Sequence, residues 1–399
     1  MVGVGILAAA LVTRDATAAN AWFERQPYLQ WDSETSRIVF AGPHDTSRTW
    51  RVRLQSALSG PDVNGVVVNM QTDGESGLMK ATLGNLEPNR KYRYRVETDK
   101  EVDSWSSFVM PPLAGDKTAF RFVAYGDTRT LTTAHAQVAE AIAREPDLAF
   151  ILHVGDLTEN GNEKECWERE FFTPAAGMLR SAMLLPCLGN HDEHSQFYFN
   201  NFNLPRNPGN EAYYSLDFGK VHLIVIDQFQ DYDGQSVQGR WIAKDLAGVP
   251  PDRWKVAHFH KPPFASYESD GDGVNMKVAE WLCPVFEKYG VDVIFAGHNH
   301  CYLRTCPIGT VGRKSPVYVI TGGGGAPLDN PYQGAIVKSS YKGLQYCLVT
   351  VTPDQFTITA KDSGGKVIDQ FTLRKNEIPT NSQDRQAIVA SALKGWNGR

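Results

Sequence analysis

The sequence predicts an α/β fold preceded by a small all-β domain, and three observations carry that expectation. Short strand-like segments fill 26–112, strands alternate with helices beyond 118, and five of the later apolar runs stop at metal-ligand or proton-transfer residues. The segments PYLQW, SRIVFAG, TWRVRLQ, GVVVNMQ, LMKATLGNL, KYRYRVET and SWSSFVM, each bounded by turn residues, suggest a small antiparallel sandwich. The stretch from Pro111 to Lys117 reads as a linker. Helical spacing follows at 133–144, 162–178, 238–247 and 274–289. Strands are expected near 119–125, 148–154, 182–188, 221–227, 254–260 and 291–296. A closing β region takes 316–321, 345–351, 355–360 and 366–373, and the tail holds one helix, 383–393, capped by Ser382. The division is a leader at 1–21, a sandwich at 23–113, an α/β domain at 118–375 and a tail at 376–399.

At 399 residues the chain exceeds one ordinary domain, so two are expected. A net charge of −5 argues against a broad basic surface, and hence against a nucleic-acid partner. Beyond the first twenty residues no apolar run is long enough to cross a membrane. The apolar run 2–12 followed by Ala19-Asn20-Ala21 reads as a signal peptide, which would make the mature chain secreted or periplasmic from near Trp22. Its first basic residue, Arg14, lies behind the apolar run, so the positive n-region is missing and the alternative is a leader with no export role. Six cysteines with no C-x-x-C pair argue against a thiolate metal site. A local Cys301–Cys306 disulfide stays open, and Cys187 reads as a small buried hydrophobe.

The most informative stretch is VDVIFAGHNH, 291–300. VDVIF is β-branched and aromatic, Gly297 ends it, and His298 and His300 leave extended backbone on one side. One H-x-H pair is weak evidence, but the pattern recurs. AFRFVAYGD ends in Asp127, LAFILHVGD in Asp156, SAMLLPCLGNHD delivers Asn190, His191 and Asp192, and WKVAHFHKPP delivers His258 and His260. Ligands gather at the carboxyl ends of strands in open α/β sheets, so five such ends can converge. His258, earlier on its strand, reads as core or supporting residue rather than ligand.

The ordered set GD (126–127), GD (155–156), GNHD (189–192), HKPPF from 260 and GHNH (297–300) resembles the calcineurin-like metallophosphoesterase superfamily. The preceding sandwich makes the chain similar to the purple acid phosphatase branch. Within it, LGNLEPNRKYRYRV resembles the corner of fibronectin type III domains. The sandwich is expected to pack and present, with carbohydrate or partner binding as the alternative. The resemblance implies a four-layered α/β/β/α domain and two-metal hydrolysis of small-molecule phosphoesters, with water activated as a hydroxide bridging the metals. It implies that Asp156 bridges, that Asp127 and His300 hold the first metal, and that Asn190, His260 and His298 hold the second. Mixed oxygen and imidazole ligands suit Fe, Zn or Mn. His191 is expected to contact the phosphate and protonate the leaving oxygen, with Asp192 holding its other nitrogen.

Two positions depart from the family. Arg129 stands where most of the superfamily has a histidine, and Glu159 stands where purple acid phosphatases have a tyrosine. The first metal therefore lacks its usual fourth protein ligand, which Glu159, Asn160 or water would replace. Arg129 is a candidate phosphate-binding residue or a solvated loop residue. Tyr302 is read either as lining the substrate pocket or as a core aromatic. The glycine run 322–325 has no P-loop lysine after it and suits close backbone approach to the site. Phosphomonoesters are the leading substrate class. A phosphodiesterase or nucleotidase on the same site is the runner-up, and a binding protein with a degenerate hydrolase domain is the third reading.

Overall fold

A computed structural model of the chain describes residues 22–57, 65–206, 211–265, 273–375, 377 and 382–397. The leader and its cleavage site fall outside these residues. Two four-stranded antiparallel sheets make the N-terminal sandwich. Phe23–Ser33, Ser36–Pro43, Met79–Leu83 and Gln71–Thr72 form one, and Val66–Asn69, Arg51–Ser56, Lys91–Glu97 and Ser106–Val109 form the other. Trp50, Val52, Tyr94 and Val96 fill the space between them, as period-2 alternation dictates.

The α/β part is built on two further sheets. In the first, Met183–Pro186, Leu148–His153 and Phe120–Tyr125 run parallel, and three antiparallel strands from the chain's end continue it. In the second, Val221–Val225, Trp254–His258, Val293–Ala296 and Val317–Thr321 run parallel. The antiparallel strands Tyr214–Phe218, Tyr302–Thr305 and Val337–Tyr341, absent from the sequence reading, widen that sheet. The sheets stack face to face through Phe122 against Phe295 and Phe150 against Phe218, with ring centroids 6.4 and 4.6 Å apart.

Each strand of the second sheet divides its side chains between two cores. Leu223, Val256, Val293 and Phe295 face the first sheet, whereas Ile224, Ala257 and Ile294 pack with Ile242, Leu246, Val278 and Phe286 of the covering helices. Helix Thr132–Ala143 and the helical stretch 164–179 lie on the other side, completing the layered α/β/β/α order. No helix among the described residues is long and apolar enough to cross a membrane.

Two helices differ from expectation. The stretch 162–178 contains a π-turn, Trp167–Phe172, which puts Glu170 inward where its carboxylate accepts the amides of Thr130 and Glu159. The predicted helix at 274–289 is broken into Met276–Trp281 and Cys283–Tyr289, because Pro284 cannot donate within a continuous helix. In the tail, Asp384 caps helix Arg385–Asn397 by accepting from Gln386 N at 3.0 Å, in place of Ser382. All six cysteines are buried and free, so Cys301 and Cys306 are not joined.

The sandwich is fastened to the α/β part by buried arginines. Arg25, on the first strand, donates to Glu168 and to Asn201 Oδ1 (2.8 Å) and lies 3.7 Å over the Phe172 ring. Arg180 reaches back to Asp103, Ser106 and Gln26. Breaking a buried ion pair costs about 3–5 kcal/mol, less where one partner keeps water as Glu168 does. Arg25→Ala is therefore expected to lower the stability of the full chain by roughly 2–3 kcal/mol in denaturant unfolding. An unchanged midpoint would show that the contact carries no stability.

Candidate metal centre

Parallel strands in register end at one level, and this brings the motif residues together. Tyr125, His153 and Pro186 form one row across the first sheet, and His258 and Phe295 are partners in the second. The segments that follow carry Asp127, Asp156, Asn190, His260, His298 and His300 to one edge. Asp127, Asp156 and His298 take left-handed backbone, with φ of 57°, 55° and 69°. Non-glycine residues in this region store about 1–3 kcal/mol each and persist only where their surroundings fix them. The fixing bonds are visible: His298 N donates to both oxygens of Asp127 at 3.0 Å, and His191 N donates to Asp156 Oδ1 at 3.0 Å.

Around His260 Nε2 lie Asn190 Oδ1 at 3.0 Å, His298 Nδ1 at 3.3 Å and Asp156 Oδ1 at 3.4 Å. These separations are the polyhedron edges expected of a cation with ligands at about 2.0–2.2 Å. His260 Nδ1 is spent on the Val154 carbonyl at 2.8 Å, which turns Nε2 toward the cluster. His300 is oriented the same way: Nδ1 donates to Pro327 O at 2.7 Å, and Nε2 faces Asp127 Oδ1 at 3.7 Å. Oxygens of Asp127 and Asp156 and a nitrogen of His260 lie within 4.8 Å of one another, all three residues buried. Burial alone would lower the His260 ring, but Asp156 and Asp127 raise it to about 9. Burial pushes Asp127 well above the usual carboxylate range. The donor set and its spacing fit a metal.

Glycines make room for this packing. A Cβ on Gly189 would press into Asp156, and one on Gly322, in the glycine run, into Asp127 and the Asn299 carbonyl. The run thus approaches the site through its backbone.

The remaining predicted residues separate. His191 sits at the rim, partly exposed, with Nδ1 donating to the Glu159 carbonyl at 2.8 Å. Its basic nitrogen is then Nε2. Arg129 contacts Asp156 Oδ2 through Nε at 3.4 Å and binds Glu159 through the guanidinium, so it is part of the site's charge balance rather than a solvated loop residue. Asn160 is turned away, donating to Glu163 and accepting from Asn162 N. His258 is fully buried in the core, and neither ring nitrogen has a hydrogen-bond partner among the described residues.

Two expectations are corrected. Asp192 does not hold His191. Its buried carboxylate accepts from Gly189 N (2.7 Å), Asp156 N (2.9 Å) and Leu157 N (3.0 Å), so it ties two ligand loops together. Tyr302 does not line the pocket. The chain re-enters the sheet at that residue, burying the ring between the sheets, and its hydroxyl donates to Asp369 at 2.7 Å.

Comparison with known proteins follows the same residues. The family description "calcineurin-like phosphoesterase" matches 120–302. The chain carries a calcineurin-like metallophosphoesterase domain. Purple acid phosphatase 23 of Arabidopsis thaliana is 29% identical over 297 residues, covering 63% of this chain and 63% of the relative. The Fe(3+)-Zn(2+) purple acid phosphatase 12 of the same plant is 24% identical over 287 residues, covering 61% and 58%. The chain thus spans less than two thirds of either relative's length. A purple acid phosphatase from yellow lupin (Lupinus luteus) seeds shares the fold, with a TM-score of 0.73 at 17% identity over 91% of this chain and 75% of that one. The phosphoesterase domain and the β-sandwich before it reproduce that architecture.

Residues outside the motifs also shape the edge. Glu170, Asp329 and the carbonyls of Val154 and Pro327 orient site residues, and none of them belongs to a motif, so the sequence carried no signal for them. Removing the Asp192 carboxylate orphans three buried amides at about 1–3 kcal/mol each. Asp192→Ala is therefore expected to lower the melting temperature by more than about 5 °C along with metal retention. A variant that melts like the parent but loses only the acid-assisted step would restore Asp192 to the catalytic role.

Proposed function

We propose that the protein is a two-metal-dependent phosphoester hydrolase acting on phosphomonoesters. The observation that carries this reading is the convergence of Asn190 Oδ1, His298 Nδ1 and Asp156 Oδ1 on His260 Nε2 at cation-ligand spacing. In this reading Asp127 and His300 would hold the first metal, Asn190, His260 and His298 would hold the second, and Asp156 would be shared between them. Two cations held there would supply a nucleophile from water at neutral pH and would offset charge on the phosphoryl oxygens.

The chain's own residues do the rest. Arg129, fixed by Asp156 and Glu159, presents positive charge beside the bridging carboxylate, where phosphate oxygens would lie. With Nδ1 committed to the Glu159 carbonyl, His191 Nε2 is the atom that carries a proton to the leaving oxygen. The Asp192 clamp keeps the Asp156 and Asn190 loops at one spacing while charge moves.

The test is hydrolysis of an aryl phosphate monoester beside its bis-aryl diester, with Mn, Zn or Fe supplied in turn. Faster monoester turnover, lost by at least about a hundredfold in Asn190→Ala or His298→Ala together with metal content, is expected. Faster diester turnover would move the function to a phosphodiesterase on the same site. No turnover with any metal would favour a binding protein. Iron-loaded protein is expected to lack a violet absorbance band, because Glu159 stands at the tyrosine position. Observing that band would overturn this ligand assignment.

A further inference from the structure

Beside the metal centre, the structure carries a second ordered cluster that the hydrolytic reading does not use. Asp227, fully buried just beyond strand Val221–Val225, gathers two loops on one carboxylate. Oδ2 takes His194 Nε2 at 2.6 Å and also binds Gln230, while Oδ1 accepts Phe229 N at 2.9 Å. Gln238 fixes the Asp227 backbone in both directions at 2.9 Å. Gln228 does the same for Lys261, whose amide donates to it and whose carbonyl accepts from it. The 227–230 loop is thereby locked to the loop carrying His260.

This rigid loop ends in an aromatic ring left outside. Phe229 is 37% exposed while its backbone amide is pinned to Asp227, so the ring is presented from a fixed loop. Its ring lies 6.5 Å from the His260 ring and meets His194 edge-on at 6.2 Å, 86°. His194 itself is held in left-handed backbone (φ 49°), next to Glu193 (φ 57°). Two consecutive non-glycine residues in that region are costly, and the Asp227 bond helps keep them there. His194 Nδ1 has no partner among the described residues, so it is available to a ligand.

We propose that Phe229 and His194, set by Asp227, form a subsite for a planar aromatic group on the organic side of the phosphoester. The proposal rests on the hydrolase reading for where the phosphate sits, and adds the class of alcohol that leaves. The Phe229 ring lies 6.5 Å from the His260 ring, so the organic group of a phosphate held beside His260 would stack there as an aryl group or nucleobase, with His194 bordering its edge. Stacking on a pre-ordered ring saves the entropy of fixing it, which makes the loop bonding part of the specificity.

The test is calorimetric binding of phenylphosphonate and methylphosphonate to the full chain with Zn supplied. The wild type is expected to prefer the phenyl compound about tenfold, the scale of one aromatic stack. Phe229→Ala is expected to shrink that ratio to below about threefold, and Phe229→Trp to restore it. Asp227→Asn, with Phe229 intact but its loop less firmly held, is expected to fall between them. Equal affinity of the wild type for both phosphonates, binding of neither, or a phenyl preference that survives Phe229→Ala overturns the proposal. A phenyl preference carried by Phe229 in a protein that hydrolyses no phosphoester overturns the hydrolase reading alone and leaves the subsite standing.

Discussion

The rest of the structure depends on the crowding of acceptor atoms around His260 Nε2. Carboxylate, amide oxygen and imidazole nitrogen lie 3.0–3.4 Å from it, an arrangement that positive charge must hold together. A metal ion bound there would supply that charge. Many nearby choices follow from keeping those atoms close. Left-handed backbone at Asp127, Asp156 and His298 aims the side chains inward, and glycines at 189 and 322 let the loops approach. Asp192 ties the Asp156 and Asn190 loops through three amides.

The two-sheet architecture is what makes such crowding affordable. Ligands from three strands of one sheet and two of the other emerge at a shared edge because each set of parallel strands is in register. The core between the sheets, with Phe122, Phe150, Phe218 and Phe295, fixes their separation without polar groups that need partners. Strain in the loops is therefore set against a large and insensitive core. The sandwich adds a flank held by Arg25 and Arg180, both of which bury guanidinium groups against carboxylates and side-chain oxygens of the other part.

Arg129 and Glu159 give this site its individual character. Arg129 places a permanent positive charge against Asp156, and Glu159 is engaged with Arg129 and Thr130 rather than gathered with Asp127, Asp156 and His260. The edge beyond His260 is individual as well, since Phe229 and His194 are held by bonds to Asp227 rather than to Asp127, Asp156 or His260.

The sequence by itself determined the layered class and the six convergent residues. An apolar run of strand length followed at once by Gly-Asp, Gly-Asn-His or Gly-His-x-His is local information, and parallel strands leave little choice about where such ends go. It could not determine what each polar side chain does once there. Asp192 beside His191 in sequence suggests a catalytic pair, but the turn points the carboxylate at three amides from two loops. Tyr302 beside His300 suggests a pocket wall, but the chain rejoins the sheet and the ring goes inside. Asp227, Phe229 and His194 carry no motif, and only the meeting of two loops 33 residues apart makes them a cluster. Periodicity fixes which elements form because it reflects backbone geometry. Hydrogen-bond partners were decided by the tertiary structure, because buried polar groups take whichever donor or acceptor the packed chain brings within reach.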